Sequence, residues 1–287
     1  MIFSMTGFAR IEKESEAGSM VLELRTVNHR YLDISFRMPE ELRAFEGQLR
    51  EKLQKRLSRG KVECNLRFTP ALTAGEIAID ERAVKALLGA VNKIENLMSN
   101  AARMPALDIL RWPGIVQEQS PDKTAVSALL METIDEGLDR LLEMRELEGR
   151  RMAALLVQRL DQISEIAAQV RKRRPEVVKA IREKLQARLQ LLEADTDPGR
   201  LEQEMALIAQ KLDVDEELDR LDSHIKATRE VLTRNEPVGR RLDFLMQEFN
   251  REANTLSSKA ADGETTQAAV EMKVLIEQMR EQVQNIE

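Results

Sequence analysis

The stretch GRRLDFLMQEFNREANTLSSK, Gly239–Lys259, reads as an amphipathic helix carrying three distinct stripes. Leu242, Leu245, Met246, Phe249, Ala253 and Leu256 follow the i, i+3, i+4, i+7 spacing that buries one face. Asp243, Gln247, Asn250, Asn254 and Ser257 line one border of that face, and Arg241, Glu248, Glu252, Thr255 and Lys259 line the other. Solvation of a helix surface needs only charge. Two asparagines, which form helices poorly, together with two carboxylates one turn apart mark this helix as a site.

Moving outward, the preceding segment, residues 201–234, is predicted as one helix with Leu218, Leu221, Ile225 and Leu232 buried and Asp213, Glu217 and His224 along its border. Glu217 and His224 are two turns apart, about 10 Å along the axis, too far to ligate one ion together without a bridging element. If the two helices lie side by side, His224, Glu248 and Glu252 offer the mixed oxygen and imidazole set that a hard divalent cation accepts. The plainer alternative is that Arg241, Arg251 and Lys259 neutralise the two glutamates in surface ion pairs. A last helix is predicted over 264–285, and Pro237 belongs in a first helical turn. Residues 125–193 form an almost unbroken helical pattern that Pro175 is expected to interrupt or kink. So long a helix cannot fold back on itself; it needs a partner helix or subunit, and the turn at 196–199 permits the chain to return.

Toward the N-terminus the period changes. Leu32, Ile34, Phe36 and Met38 alternate with polar residues, as do Val62, Cys64, Leu66 and Phe68, and the apolar run 20–27 adds another strand. A helix over 40–57, ended by Gly60, completes a β-β-α-β unit. A helix over 81–98 follows, and Trp112, the single tryptophan, is expected to anchor its loop. The class is therefore α+β and predominantly helical: an N-terminal domain over 1–122, a long helical arm over 123–196 and a C-terminal helical domain over 197–287.

The 287 residues are 33% charged and 3% aromatic with a net charge of -6, which argues against a general nucleic-acid coat and leaves local basic strips to consider. Two stand out, residues 43–61 and 171–174, although such runs are more often solvated faces. Asn28, His29 and Arg30 break the strand pattern beside Arg25, as a functional loop does. Cys64 is the sole cysteine, so no intrachain disulfide forms and a reducing, cytoplasmic setting is expected. No basic leader or long apolar run suggests export or a membrane. P-loop, G-x-G-x-x-G, H-E-x-x-H and G-x-S-x-G patterns are absent, so nucleotide hydrolases, dehydrogenases, zincins and serine hydrolases lose ground.

SMTGFAR (4–10), RTVNHRYLDISFRMP (25–39), RGKVECNLRF (59–68), RWPG (111–114), residues 218–225, the 239–259 helix and the ending VLIEQMREQVQNIE together resemble the YicC/YloC family of bacterial endoribonucleases. The resemblance implies a metal-dependent endoribonuclease that prefers single-stranded RNA, assembles as a ring-like or clam-shaped homo-oligomer, a hexamer, and acts in small-RNA turnover, with other RNA-decay enzymes as further partners. The expected catalytic residues, drawn from the stripes, are Glu248, Glu252, His224 and Glu217; Glu248, Glu252 and His224 would hold Mn2+ or Mg2+. Arg25, Asn28, His29, Arg30, Lys61, Arg240, Arg241, Asn250, Arg251 and Asn254 would bind RNA. A metal-free route, with His29 or His224 as base on the ribose 2′-hydroxyl, stays open, as does a non-catalytic RNA-binding adaptor or a purely structural scaffold.

Overall fold

The computed structural model describes residues 2–71, 78–98, 104–116, 122–191, 198–234 and 236–287. Its N-terminal part holds four strands, β1 (Gly7–Ser15), β2 (Gly18–Val27), β3 (Leu32–Arg37) and β4 (Gly60–Pro70), in the order β1-β2-β4-β3. β2 pairs antiparallel with β1 and β4, while β3 runs parallel to β4 and reaches it through helix α1 (Glu46–Arg56), preceded by a 3-10 segment over 40–45. β1 is a strand that the alternation did not reveal. Only Ala9 and Ile11 point inward from its middle, and its far end, Glu12 to Ser15, is polar. The hairpin to β2 needs glycine: Gly18 has φ 139°, and the Thr69 carbonyl lies where a Cβ would stand.

Leu22, Leu24, Val62 and Cys64 on one sheet face pack on Leu49 and Leu53 of α1 and on Leu130, Ile134 and Leu138 of a much longer helix, α4 (Lys123–Leu191, 69 residues). α2 (Glu81–Glu95) and α3 (Ala106–Leu110) lie between. α4 then supplies Leu156, Leu160, Ile163 and Val170 to a second core. One helix thus serves both cores. It continues through Pro175, an exposed position at which the helix forgoes one backbone hydrogen bond.

The remaining helices are α5 (Pro198–Lys211), α6 (Asp215–Leu232), α7 (Gly239–Lys259) and α8 (Gly263–Val283). The single helix expected over 201–234 is two, broken at 212–214. There Asp213 accepts the Asp215 N–H at 3.1 Å and pairs with Arg174 at 2.8 Å, so the side chain replaces a helical bond. Pro237 lies just before α7, whose N-cap is Val238, rather than in its first turn. The end of the long helix beyond Leu191 and the 196–197 part of the expected turn lie outside the described residues.

The two cores are also joined by the chain termini. Met5 N–H donates to the Asn285 carbonyl at 2.8 Å and Glu287 N–H to the Phe3 carbonyl at 2.9 Å. Arg145 on α4, 2% exposed, donates from Nε to the Ser4 carbonyl at 2.6 Å and from Nη2 to the Glu287 carboxylate, whose other oxygen accepts from Ser58 Oγ at 2.5 Å. Gly149 on α4 and Gly239 at the start of α7 make room for this clasp. A Cβ at either would collide with the carbonyl of Ile2 or Ile286. Replacing Arg145 with Met is expected to lower stability by about 3 kcal/mol, because it strands a buried carboxylate and carbonyl, whereas Lys55→Ala, which removes an exposed pair with Glu51, changes it by less than about 0.5 kcal/mol. Urea titrations of the two variants make the comparison.

Candidate functional site

α6 and α7 lie antiparallel, with their borders zipped by charge: Glu217 at the start of α6 meets Lys259 at the end of α7, and Arg220, one turn on, meets Glu252. The next turn of α6 brings His224 opposite Glu252 and Glu248. One ring nitrogen of His224 and one carboxylate oxygen from each glutamate lie within 4.8 Å of one another. The antiparallel register does this; neither helix could alone.

The surroundings of the three groups are unequal. Glu252 is 2% exposed, and its one ion pair among the described residues is a long contact of 3.5 Å from Arg220, a guanidinium shared with Glu216. Glu216 first, and Glu252 second, raise the Arg220 pKa above its ordinary value, so the cation is secure. Among the described residues, Glu248 has only Arg251 as a cation, at 4.0 Å. The His224 ring is fixed edge-on against Phe249, centroids 5.7 Å apart, and its Nε2 is buried without a hydrogen-bond partner. A buried polar atom without a partner is costly. Two carboxylates and an imidazole with spare lone pairs, one of them sealed from water, have the donor chemistry that fits a divalent cation.

Glu217 stands apart. Its Oε1 accepts from Lys259 Nζ at 2.8 Å, and the same ammonium donates to the Asp213 carbonyl at 2.8 Å. Lys259 therefore does not serve Glu248 or Glu252, and the ion pairs sketched from the sequence are only partly present: Arg251 is near Glu248, but the partner of Glu252 is Arg220.

A second feature opens at the start of α7. Asn28, Arg30, Arg59 and Arg240, with Asp243 and Gln284, line a cleft of about 730 Å³ between the β2–β3 loop and the ends of α7 and α8. Asn28 Nδ2 donates to the Gln284 carbonyl at 2.7 Å and Arg59 Nε to the His29 carbonyl at 2.9 Å, so the loop is tied to both domains. Arg30, Arg59 and Arg240 have no ion-pair partner among the described residues. Gly239 and Arg240 also set the positive end of α7 at this cleft, with no acidic residue in its first turn and no side-chain cap.

The other expected RNA contacts are scattered. Arg25 and Lys61 stand on the open face of the sheet, where Arg25 is directly opposite Glu63 and Lys61 is 3.7 Å from the same carboxylate. His29 is exposed, with Nδ1 2.9 Å from the Tyr31 carbonyl. Arg241 and Arg251 are exposed on α7, and Asn254 donates to Asn250 at 3.0 Å on its outer side. Both basic strips turn out to be engaged in ion pairs. Lys52 and Arg56 reach Asp135 and Asp139 of α4, each at 2.6 Å; Arg171, Arg173 and Arg174 hold Asp219, Asp262 and Asp213 at 2.7, 3.0 and 2.8 Å. Arg59, at the end of the first strip, is the exception and was not singled out; its position just before Gly60, where the helix has ended, was the available signal. Trp112, expected to be a packed anchor, is 53% exposed.

The N-terminal region, residues 2–154, matches the family described as "Endoribonuclease YicC-like, N-terminal region", and residues 170–287 match "Endoribonuclease YicC-like, C-terminal". Two relatives match end to end. "Probable endoribonuclease YicC" of Haemophilus influenzae is 44% identical over 288 residues, and the protein of the same description from Clostridioides difficile is 32% identical over 295 residues, each match covering 100% of both chains.

Thiol chemistry is not part of this site. Cys64 is buried under α1 and α4, and burial pushes its thiol up to about 12. Ellman's reagent at pH 8 is expected to leave the folded protein unmodified and to titrate one thiol per chain in denaturant.

Proposed function

The chain belongs to the YicC-like endoribonuclease family, and from that premise we propose that it cleaves single-stranded or looped RNA with a divalent cation held by His224, Glu248 and Glu252. The observation that carries this reading is the buried, unpartnered Nε2 of His224 on a ring that faces two carboxylates with too few cations of their own. A bound Mn2+ or Mg2+ would polarise the scissile phosphate and lower the pKa of an attacking water. The protein supplies the rest. Phe249 packs edge-on against the imidazole and fixes its plane, and the Arg220 guanidinium lies 3.5 Å from the buried Glu252 carboxylate. Arg30, Arg59 and Arg240, which have no carboxylate partner among the described residues, are placed to take the phosphates on one side of the cut. Asn250 and Asn254 present amides along the outer side of α7 that can orient the strand. Glu217, neutralised by Lys259, serves to zip α6 to α7 rather than to react.

The same reading extends to a cytoplasmic homo-oligomer, a hexamer, acting in small-RNA turnover with other decay enzymes. Support for self-association comes from α2, which has no buried residue although Leu88 and Ile94 are apolar and exposed. No described helix is long and apolar enough to cross a membrane.

A 5′-labelled single-stranded oligonucleotide, incubated with and without chelator, is the test. Cleavage is expected only with the ion and leaves 5′-phosphate and 3′-hydroxyl ends. Glu248→Gln with Glu252→Gln is expected to slow it more than about 100-fold, beyond the usual cost of losing an outer-shell partner, while RNA binding in chelator persists. A 2′,3′-cyclic phosphate product would overturn water attack and favour the exposed His29 as base. Wild-type cleavage by the stringently purified double variant would remove these carboxylates from the chemistry, and RNA binding without cleavage under every ion would leave an adaptor.

A further inference from the structure

Arg240, Phe244, Glu248 and Glu252 are each four residues apart on α7 and form one continuous ridge. The steps are about 6 Å, so the ridge spans about 18 Å from the arginine cleft to the buried glutamate. Phe244 is 59% exposed, while Phe249 on the same helix is fully buried. A single exposed hydrophobic side chain is ordinary on a protein surface. What sets Phe244 apart is its place: Arg240 and Arg241 lie one turn before it, Gln247 and Glu248 one turn after, and no packing requirement keeps an aromatic there.

We propose that Phe244 is a nucleobase platform, on whose face an unstacked base of the RNA lies, one or two nucleotides from the cut. The assignment rests on the proposed nuclease reading and deepens it. A strand whose phosphate sits on Arg240 and whose scissile bond reaches His224, Glu248 and Glu252 can run along this ridge, on which Phe244 stands between Arg240 and Glu248. Base stacking on an aromatic ring tolerates any sequence and requires an unpaired base. The ridge therefore selects single strands over duplex without reading sequence, since a paired base has no free face to offer. Arg240 adds a phosphate contact, whose loss lowers the salt dependence of binding by about one unit of slope.

The test uses full-length protein, a single-stranded oligonucleotide with a mapped cut, and the same oligonucleotide with one abasic ribose moved stepwise across the cut. In chelator, Phe244→Ala is expected to weaken binding roughly tenfold and Phe244→Trp to restore it; with the ion, the loss falls on KM. For the wild type, the abasic ribose at one position produces the same weakening, and Phe244→Ala no longer responds to it. Unchanged binding by Phe244→Ala, an abasic penalty that persists in that variant, or a changed subunit assembly in sedimentation would each overturn the platform. If the wild type neither binds nor cuts RNA, the nuclease reading fails and the platform with it; if it cuts and Phe244→Ala stays sensitive to the abasic ribose, the platform alone fails.

Discussion

The buried guanidinium of Arg145 is the contact on which the arrangement of this molecule depends. It stands on the helix that both cores share, and its partners are the Ser4 carbonyl at one end of the chain and the Glu287 carboxylate at the other. A buried arginine needs both to offset its desolvation. Satisfying it draws the termini into antiparallel pairing beside α4, and that pairing sets the end of α8 and the start of α7 against the β2–β3 loop. Gly149 and Gly239 let the strands approach that closely. The arginine-lined cleft lies at this seam: Asn28 and Arg59 come from the N-terminal part and Arg240 and Gln284 from the C-terminal helices, held together by the clasp, the shared helix α4 and the Asn28–Gln284 bond.

Charge elsewhere follows the same economy of pairing. Cations on α1 and along the middle of α4 face acidic side chains and knit helices together, each exposed pair contributing little. Among the described residues, the cleft arginines and the His224 face of α6 and α7 are two places where charged or polar groups lack close partners. A positive pocket and an electron-rich pocket joined by one helix suit a polyanion whose backbone is held at one end and opened at the other.

Much of α7 was legible because a helix repeats with a fixed period: the buried stripe, and the separation of Glu248 and Glu252 from Asn250 and Asn254, follow from spacing alone. That His224 faces the glutamates depends on the antiparallel register of α6, which periodicity suggests and cannot fix. Other features were hidden for physical reasons. β1 has too few inward apolar residues to show alternation. The break at 212–214 is made by Asp213 bonding its own backbone and Arg174, a tertiary event. The basic runs looked free because their partners are far away in sequence, as with Arg56 and Asp139. Arg59 was obscured by its neighbours, since nothing local distinguishes an arginine that pairs from one that faces a cleft.

The proposed ligands of one divalent cation are His224, Glu248 and Glu252. Anomalous diffraction from crystals of the protein soaked in Mn2+ addresses this directly. A single strong peak is expected within coordination distance of these three side chains, absent in crystals of Glu252→Gln. A Mn2+ peak held by other residues, with this triad bare in the same crystals, would contradict it.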